Sequence, residues 1–263
     1  MANSTTHPFE NLSWYRLRIT LLCIRMVPGY NTPPVRRFQS VVKDVTESFG
    51  PEDHNIIFHL CNPRQYRGYR ENEQICIEVL FCRHSLSYVT AWRRALQHYM
   101  DAPKGGKNLR LLDCSAPEQR SYRMLAERYA GLPVTGELCI EFITPLPVKH
   151  TKCDLRKFLE PTEFLELLLN RFKLLFDKNI CYEISGSGLH LRPCDHWHYD
   201  TRWKFETKSQ SGVKILGGGI GKLYLCGNFE PYVPLLILGS ELHCGGKRTF
   251  AQGVYRIIYP PPV

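Results

Sequence analysis

The sequence predicts an α+β protein of two tandem ferredoxin-like domains with a C-terminal glycine-rich loop. The order of apolar periodicities, β-α-β-β-α-β, occurs twice along the chain. At 263 residues and 43% hydrophobic content, the chain is long enough for two cores of about 100–150 residues each. Near its end, "LHCGGKRTFAQGVYRI" (242–257) sets glycines and cations between the last helical pattern and the last strand pattern.

The first pass opens with "WYRLRITLLCIRM" (14–26), a strand with Leu17, Ile19 and Leu21 on one face, followed by turn residues Pro28, Gly29, Pro33 and Pro34. "PVRRFQSVVKDVTESFG" (34–50) spaces Val35, Phe38, Val41, Val42 and Val45 as one helical face, with proline at its start and glycine past its end. "NIIFHLC" (55–61) and "QICIEVLFC" (74–82) read as strands joined by the arginine- and tyrosine-rich "RQYRGYR" (64–70). "LSYVTAWRRALQHYM" (86–100) is helical and "NLRLLDCS" (108–115) a short strand. Residues 1–115 therefore form the expected N-terminal domain, and 116–136, with one short helical pattern between turn signals, the connection.

The second domain is expected over 137–263. "ELCIEFITPL" (137–146) is a strand, and "EPTEFLELLLNRFKLLFDK" (160–178) an amphipathic helix with Thr162 as N-cap beside Pro161. Strands follow at 188–193, 200–207 and 221–227, a helix at 232–242 and a last strand at 253–260, so the order recurs with one extra strand or hairpin. No sequence repeat accompanies it. The split βαβ unit is also the fold of RNA-recognition (RRM-like) modules.

Charge narrows the partner. Lysine and arginine number 34 against 25 acids, and the formal net charge is +9. Arg16, Arg18, Arg25, Arg36, Arg37 and Lys43 fall between Asn11 and Lys43 without an acid, and no acid follows Glu241. Such clustering attracts polyanions, of which nucleic acid is the commonest. The 11 cysteines are scattered singly without a CxxC pair, the pattern of small buried residues in a reducing compartment. No signal-peptide pattern opens the chain, and no apolar run approaches the ~20 residues of a membrane helix, so a cytoplasmic protein without membrane partners is expected. A nucleophile elbow, a P-loop, a GxGxxG opening a helix and a paired-carboxylate motif are all missing, which counts against a small-molecule enzyme.

In the loop between the last helix and strand, Gly245, Gly246 and Gly253 permit φ > 0 and close approach of backbone N–H groups, while Lys247 and Arg248 supply charge. Phosphate uses both, although helix-cap and turn chemistry alone accounts for such a loop equally well. "EFITPLPVK" (141–149) followed by "GGGIGKLYLCGNFEPYVPLLILGSELHCGGKRTFAQGVYRI" (217–257) resembles the C-terminal domain of the CRISPR precursor-RNA-processing endoribonucleases of the RAMP superfamily. Thr144-Pro145 matches that family's strand ending, and Gly217 to Gly219 with Gly221 its glycines before the helix. Leu235 to Lys247 matches its "LLxLGxxLHxGK" with one extra glycine; Gly245, Gly246 and Gly253 match its glycine-rich loop. Gln252-Gly253-Val254 stands where the family has glycine-x-glycine. The type IV processing proteins, which are also divergent, are the subgroup this pattern invites.

The resemblance implies cleavage of CRISPR repeat RNA without metal or cofactor, by attack of a ribose 2′-OH on the adjacent phosphate. The products are a 2′,3′-cyclic phosphate and a 5′-OH, with the mature guide RNA retained and handed to effector-complex subunits. Such chemistry needs charge around the phosphorane and an acid for the leaving oxygen. Many relatives place a histidine around the first helix; this chain has none between His7 and His54. Candidate catalytic residues are therefore Arg25, Arg36 and Arg37, as bidentate phosphate clamps, with Tyr30. Candidate RNA contacts are Gly245, Gly246, Lys247, Arg248 and Gly253, the arginines Arg64, Arg67 and Arg70, and Trp203 with Lys204; Trp197, Tyr199 and Trp203 offer rings for stacking, and Phe9, Tyr66 and Tyr69 join the arginines in holding RNA. His243 reads as a loop-orienting residue, and His54 and His59 as residues able to reach a cleft. "HLRPCDHWH" (190–198) gathers zinc-compatible side chains without paired ligand spacing. The alternative function is a non-catalytic guide-RNA-binding subunit.

Overall fold

The computed structural model describes residues 8–26, 35–49, 55–61, 68–102, 108–146, 159–193, 197–200, 204–206, 213–215, 218–245 and 251–259. The first half contains β1 (Ser13–Cys23), α1 (Val35–Glu47), β2 (Ile56–Leu60), β3 (Gln74–Cys82), α2 (Leu86–Asp101), β4 (Leu109–Cys114) and β5 (Glu118–Ser121). Its antiparallel sheet has the order β2-β3-β1-β4. β4 pairs with the second half of β1 and β5 with the first half.

Alternation in β1 sends Leu17, Ile19, Leu21 and Cys23, each at most 2% exposed, toward the helices. There they meet Phe38, Val41, Val42 and Val45 of α1 and Val89, Trp92 and Leu96 of α2. The opposite face of the same sheet carries Trp14, Ile57, Leu80 and Cys82, which join the core of the second half. This sheet is thus covered on one face by its own helices and partly, on the other, by the second half.

A short helix, α3 (Tyr122–Arg128), capped by Ser121 Oγ accepting from Met124 N, leads to β6 (Thr135–Leu146). Then follow α4 (Pro161–Leu175), β7 (His190–Pro193), β8 (His198–Asp200), β9 (Lys204–Glu206), β10 (Val213–Ile215), β11 (Gly218–Asn228), α5 (Val233–Leu242) and β12 (Tyr255–Ile258). The second sheet has the order β12-β6-β11-β7, with β8 also on β11, and β9 pairs with β10 in a ribbon of its own. Both halves are ferredoxin-like units. α5 is apolar around its circumference, with Leu235, Leu236, Ile237, Leu238 and Leu242 at most 1% exposed, because it is buried from several sides.

Two readings change. Glu160, not Thr162, is the N-cap of α4, without a side-chain cap bond, and Pro161 is the first helical residue. Proline lacks the N–H a cap would satisfy and its φ already suits the first turn, so the helix begins at Pro161. Of the strand read over 200–207, Asp200 ends β8 and 204–206 form β9, and the rest lies outside the described residues. Within the connection read over 116–136 lies β5, a strand of polar residues, EQRS, that shows no alternation.

Candidate nucleic-acid interface

α5 ends at Leu242, and His243 leaves the helix with φ 66°. From there the chain makes a loop whose neck is closed by backbone bonds: Cys244 N–H donates to Gly253 O at 2.9 Å, and Gly253 N–H to Pro145 O at 3.0 Å. Thr144 Oγ1 donates to Ala251 O and accepts from Val254 N, both at 2.9 Å. Gly253 has φ +73°, and a Cβ there would lie 1.8 Å from the Cys244 carbonyl oxygen, so only glycine closes this neck. Gly245, at φ 85°, is also left-handed, and it is buried. Gly239, one turn earlier, gives up its side chain to the Tyr255 hydroxyl, which would stand 2.2 Å from a Cβ and donates to Leu236 O at 2.6 Å.

The loop leans on the first unit. Ala251 packs into the core beneath the first sheet. His243, 1% exposed, meets His59 of the edge strand β2, Nε2 to Nδ1, at 2.9 Å. His59 Nε2 lies 3.1 Å from Glu78 Oε2 on β3, and Arg18 Nη2 lies 2.7 Å from Glu78 Oε1. Arg16 bonds Glu118 at 2.7 Å, and Arg120 bridges Glu118 and Glu241, both at 3.2 Å. Glu241 also accepts from the buried Trp14 indole at 3.1 Å. A chain of alternating charges thus runs across the junction of the two units.

Electrostatics sets the protonation within it. Burial alone would raise the Glu78 carboxyl. The hydrogen bond and charge of His59, then Arg18 and Arg16, outweigh that and hold it down to about 2. The Glu78 carboxylate accepts from His59 Nε2–H, and one further hydrogen bond joins His59 Nδ1 to His243 Nε2. Burial, then the charges of His59 and Arg171, push His243 well below the ordinary histidine range and keep it neutral. His243 orients the loop. It is closed to solvent.

The predicted residues divide as follows. Arg25 is exposed just beyond the end of β1, seven residues past Arg18 and so roughly 20 Å along the strand from the Glu78 cluster. Arg36 and Arg37 occupy the first turn of α1; their side chains lie outside the described residues, as do Tyr30, Arg64, Tyr66, Arg67, Trp203, Gly246, Lys247, Arg248 and His54. Arg70 is exposed, and its N–H donates to Glu73 at 2.9 Å. Lys204 pairs through its backbone opposite Ile215.

Two of the aromatic residues read as holding RNA beside the arginines are core. Phe9, 0% exposed, packs against Phe172 and Tyr182, and Tyr69, 3% exposed, against Phe38, because burying an aromatic ring outweighs presenting it to solvent. Trp197 packs edge-on to Phe142 with its ring where a Cβ of residue 219 would sit. Among the described residues no group of three or more His, Cys, Asp or Glu side chains could hold a metal. No helix among them is long and apolar enough to cross a membrane.

The residues that sequence reasoning missed are Glu78, Glu241, Arg16, Arg18 and Trp14 in their junction roles. A signal existed for two of them. Glu78 is the one acid inside the apolar run "ICIEVLFC", and Glu241 is the last acid in the chain, placed at the end of an apolar helix.

No family model matches the sequence, and no curated relative does. Solved structures do. A Cas6 product complex is 14% identical with TM-score 0.64, covering 93% of this chain and 100% of that one. Thermus thermophilus Cas6 is 13% identical with TM-score 0.60, covering 94% and 99%. A Cas6-related protein from Pyrococcus furiosus is 13% identical with TM-score 0.55, covering 94% and 100%. None of these three is described as a type IV protein. Over 93–94% of its length, the chain has the fold of the Cas6 and RAMP proteins.

Proposed function

We propose that the protein is a CRISPR precursor-RNA-processing endoribonuclease, with 1–115 and 137–263 as its two RNA-holding domains. The observation that supports this reading is the neck after α5, where Cys244, Gly253 and Thr144-Pro145 bond to one another, in a chain that follows the Cas6 fold over 93% of its length. The ribose 2′-oxygen upstream of the cut bonds to phosphorus, the bond from phosphorus to the 5′-oxygen breaks, and the proton lost by the 2′-OH is balanced by one gained at the leaving 5′-oxygen. Arg25, Arg36 and Arg37 clamp the phosphate with Tyr30 beside them, and positioning with charge stabilisation supplies the rate. Lys247, Arg248 and the loop N–H groups hold the RNA backbone.

One observation favours a second reading. His59 and His243 are committed to each other and to Glu78, which leaves a junction without a free imidazole among the described residues, as in a guide-RNA-binding subunit without catalysis. Structures of this fold include one described as a RAMP protein binding different RNA substrates, 12% identical with TM-score 0.55 over 93% of this chain and 99% of that one. Single-turnover cleavage of the cognate repeat transcript decides between them. The enzyme reading expects cutting, with Arg25→Ala, Arg36→Ala and Arg37→Ala lowering the rate more than the affinity. Tight binding of an intact transcript supports the second reading, and His59→Ala alone abolishing cleavage overturns the arginine assignment.

A further inference from the structure

The antiparallel register of β2 on β3 puts Leu60 opposite Ile77, so Cys61 stands opposite Cys76. The Cys61 N–H donates to the Cys76 carbonyl at 3.0 Å, and the two sulfurs are 2.8 Å apart. Directly opposed residues in an antiparallel pair have Cα atoms about 4.5–5.5 Å apart, inside the roughly 4.4–6.8 Å that a disulfide spans. No backbone movement is needed to join them. Both thiols are partly exposed, whereas Cys23, Cys82, Cys114, Cys139, Cys226 and Cys244 are buried. By strand alternation they share the face of His59 and Glu78, and the Arg18 guanidinium is electrostatically coupled to both sulfurs.

We propose that Cys61 and Cys76 are a modification site: a dithiol that a two-electron peroxide oxidant converts to an intramolecular disulfide, reversibly. One thiolate attacks hydrogen peroxide, forming a sulfur–oxygen bond as the oxygen–oxygen bond breaks, and the departing hydroxide takes up the proton lost from that thiol as water. The second sulfur then attacks the sulfenic acid, the sulfur–sulfur bond forms, the sulfur–oxygen bond breaks, and a second water leaves. Two thiols are oxidised and one peroxide is reduced to two waters. With the sulfurs 2.8 Å apart, either one can take the oxygen and the other resolve it. The product closes into a ring the segment that carries Arg64, Arg67 and Arg70. The dithiol is set by the sheet register and does not depend on RNA binding.

The test treats the full chain, folded and reduced, with a small excess of hydrogen peroxide, blocks free thiols and maps the peptides by mass. The expected result is a peptide containing Cys61 joined to one containing Cys76, with two hydrogens lost, separated again by dithiothreitol. Cys61→Ser and Cys76→Ser should each leave the remaining thiol without a resolving partner, progressing to sulfinic and sulfonic acids instead. Cys61 and Cys76 recovered from the unsubstituted chain as free thiols, or either joined to another cysteine, overturns the proposal.

Discussion

Replacing Glu241 by alanine removes the hub of the junction. Its carboxylate accepts from the Trp14 indole, 2% exposed, and from Arg120 at two atoms, each 3.2 Å away. The stranded indole N–H costs about 1–3 kcal/mol. Removing one partner of a buried ion pair costs about 3–5 kcal/mol. The two penalties overlap, and Arg120 keeps Glu118 at 3.2 Å, so we expect less than their sum, about 3–5 kcal/mol. For a chain of this size each kcal/mol moves the midpoint by about 2–4 °C, and Glu241→Ala should lower Tm by roughly 10 °C in a calorimetric scan at neutral pH. Glu241→Gln, which keeps one acceptor, should lose about 1–2 kcal/mol, and a cycle with Trp14→Phe should show coupling of about 1 kcal/mol. A fall below about 2 °C for Glu241→Ala would refute the reasoning, because it would mean that water already solvates these groups.

Two further outcomes are expected. Glu78 is held down to about 2 from 4.5, so its contribution is fully present above pH 4.5 and is lost as pH falls toward 2. In urea titrations Glu78→Gln should therefore be the less stable protein at pH 6, with the gap narrowing by about 1–2 kcal/mol at pH 3 after allowance for solvent screening; a gap independent of pH contradicts the assignment. Replacing both Lys247 and Arg248 by alanine should flatten the slope of log affinity for repeat RNA against log salt by about one to two, while Gly246→Val weakens binding with the slope kept. Filter binding across a salt series reads both, and an unchanged slope for the double variant returns the loop to helix-cap chemistry.

Legibility in the sequence followed the range of the interactions. Leu17, Ile19 and Leu21, or Val41, Val42 and Val45, announce their elements because burial repeats along a single strand or helix. Thr144-Pro145, Gly239 and Gly253 were readable as motifs, and the structure supplies their physical reason: a neck where one hydroxyl and two backbone bonds meet and a Cβ has no room. β5 was hidden, since a strand that pairs at the sheet edge through EQRS has no apolar period. The junction was hidden more deeply. His59, Glu78 and His243 meet across separations of 19 and 184 residues, and nothing local in the sequence records a hydrogen bond between two histidines. Phe9 and Tyr69 were misplaced for a related reason: an aromatic near arginines reads as an RNA contact until the tertiary fold buries it.

The central claim, RNA cleavage by the substrate's own 2′-OH, meets its most direct test in one substitution. A cognate repeat transcript and its twin with a single 2′-deoxyribose upstream of the cut are incubated with the protein in EDTA. The account predicts that the all-ribose transcript is cut to a 2′,3′-cyclic phosphate and a 5′-OH, while the deoxy twin binds as well and stays intact. Cleavage of the deoxy twin, or cutting of the ribose transcript that requires magnesium, would contradict it.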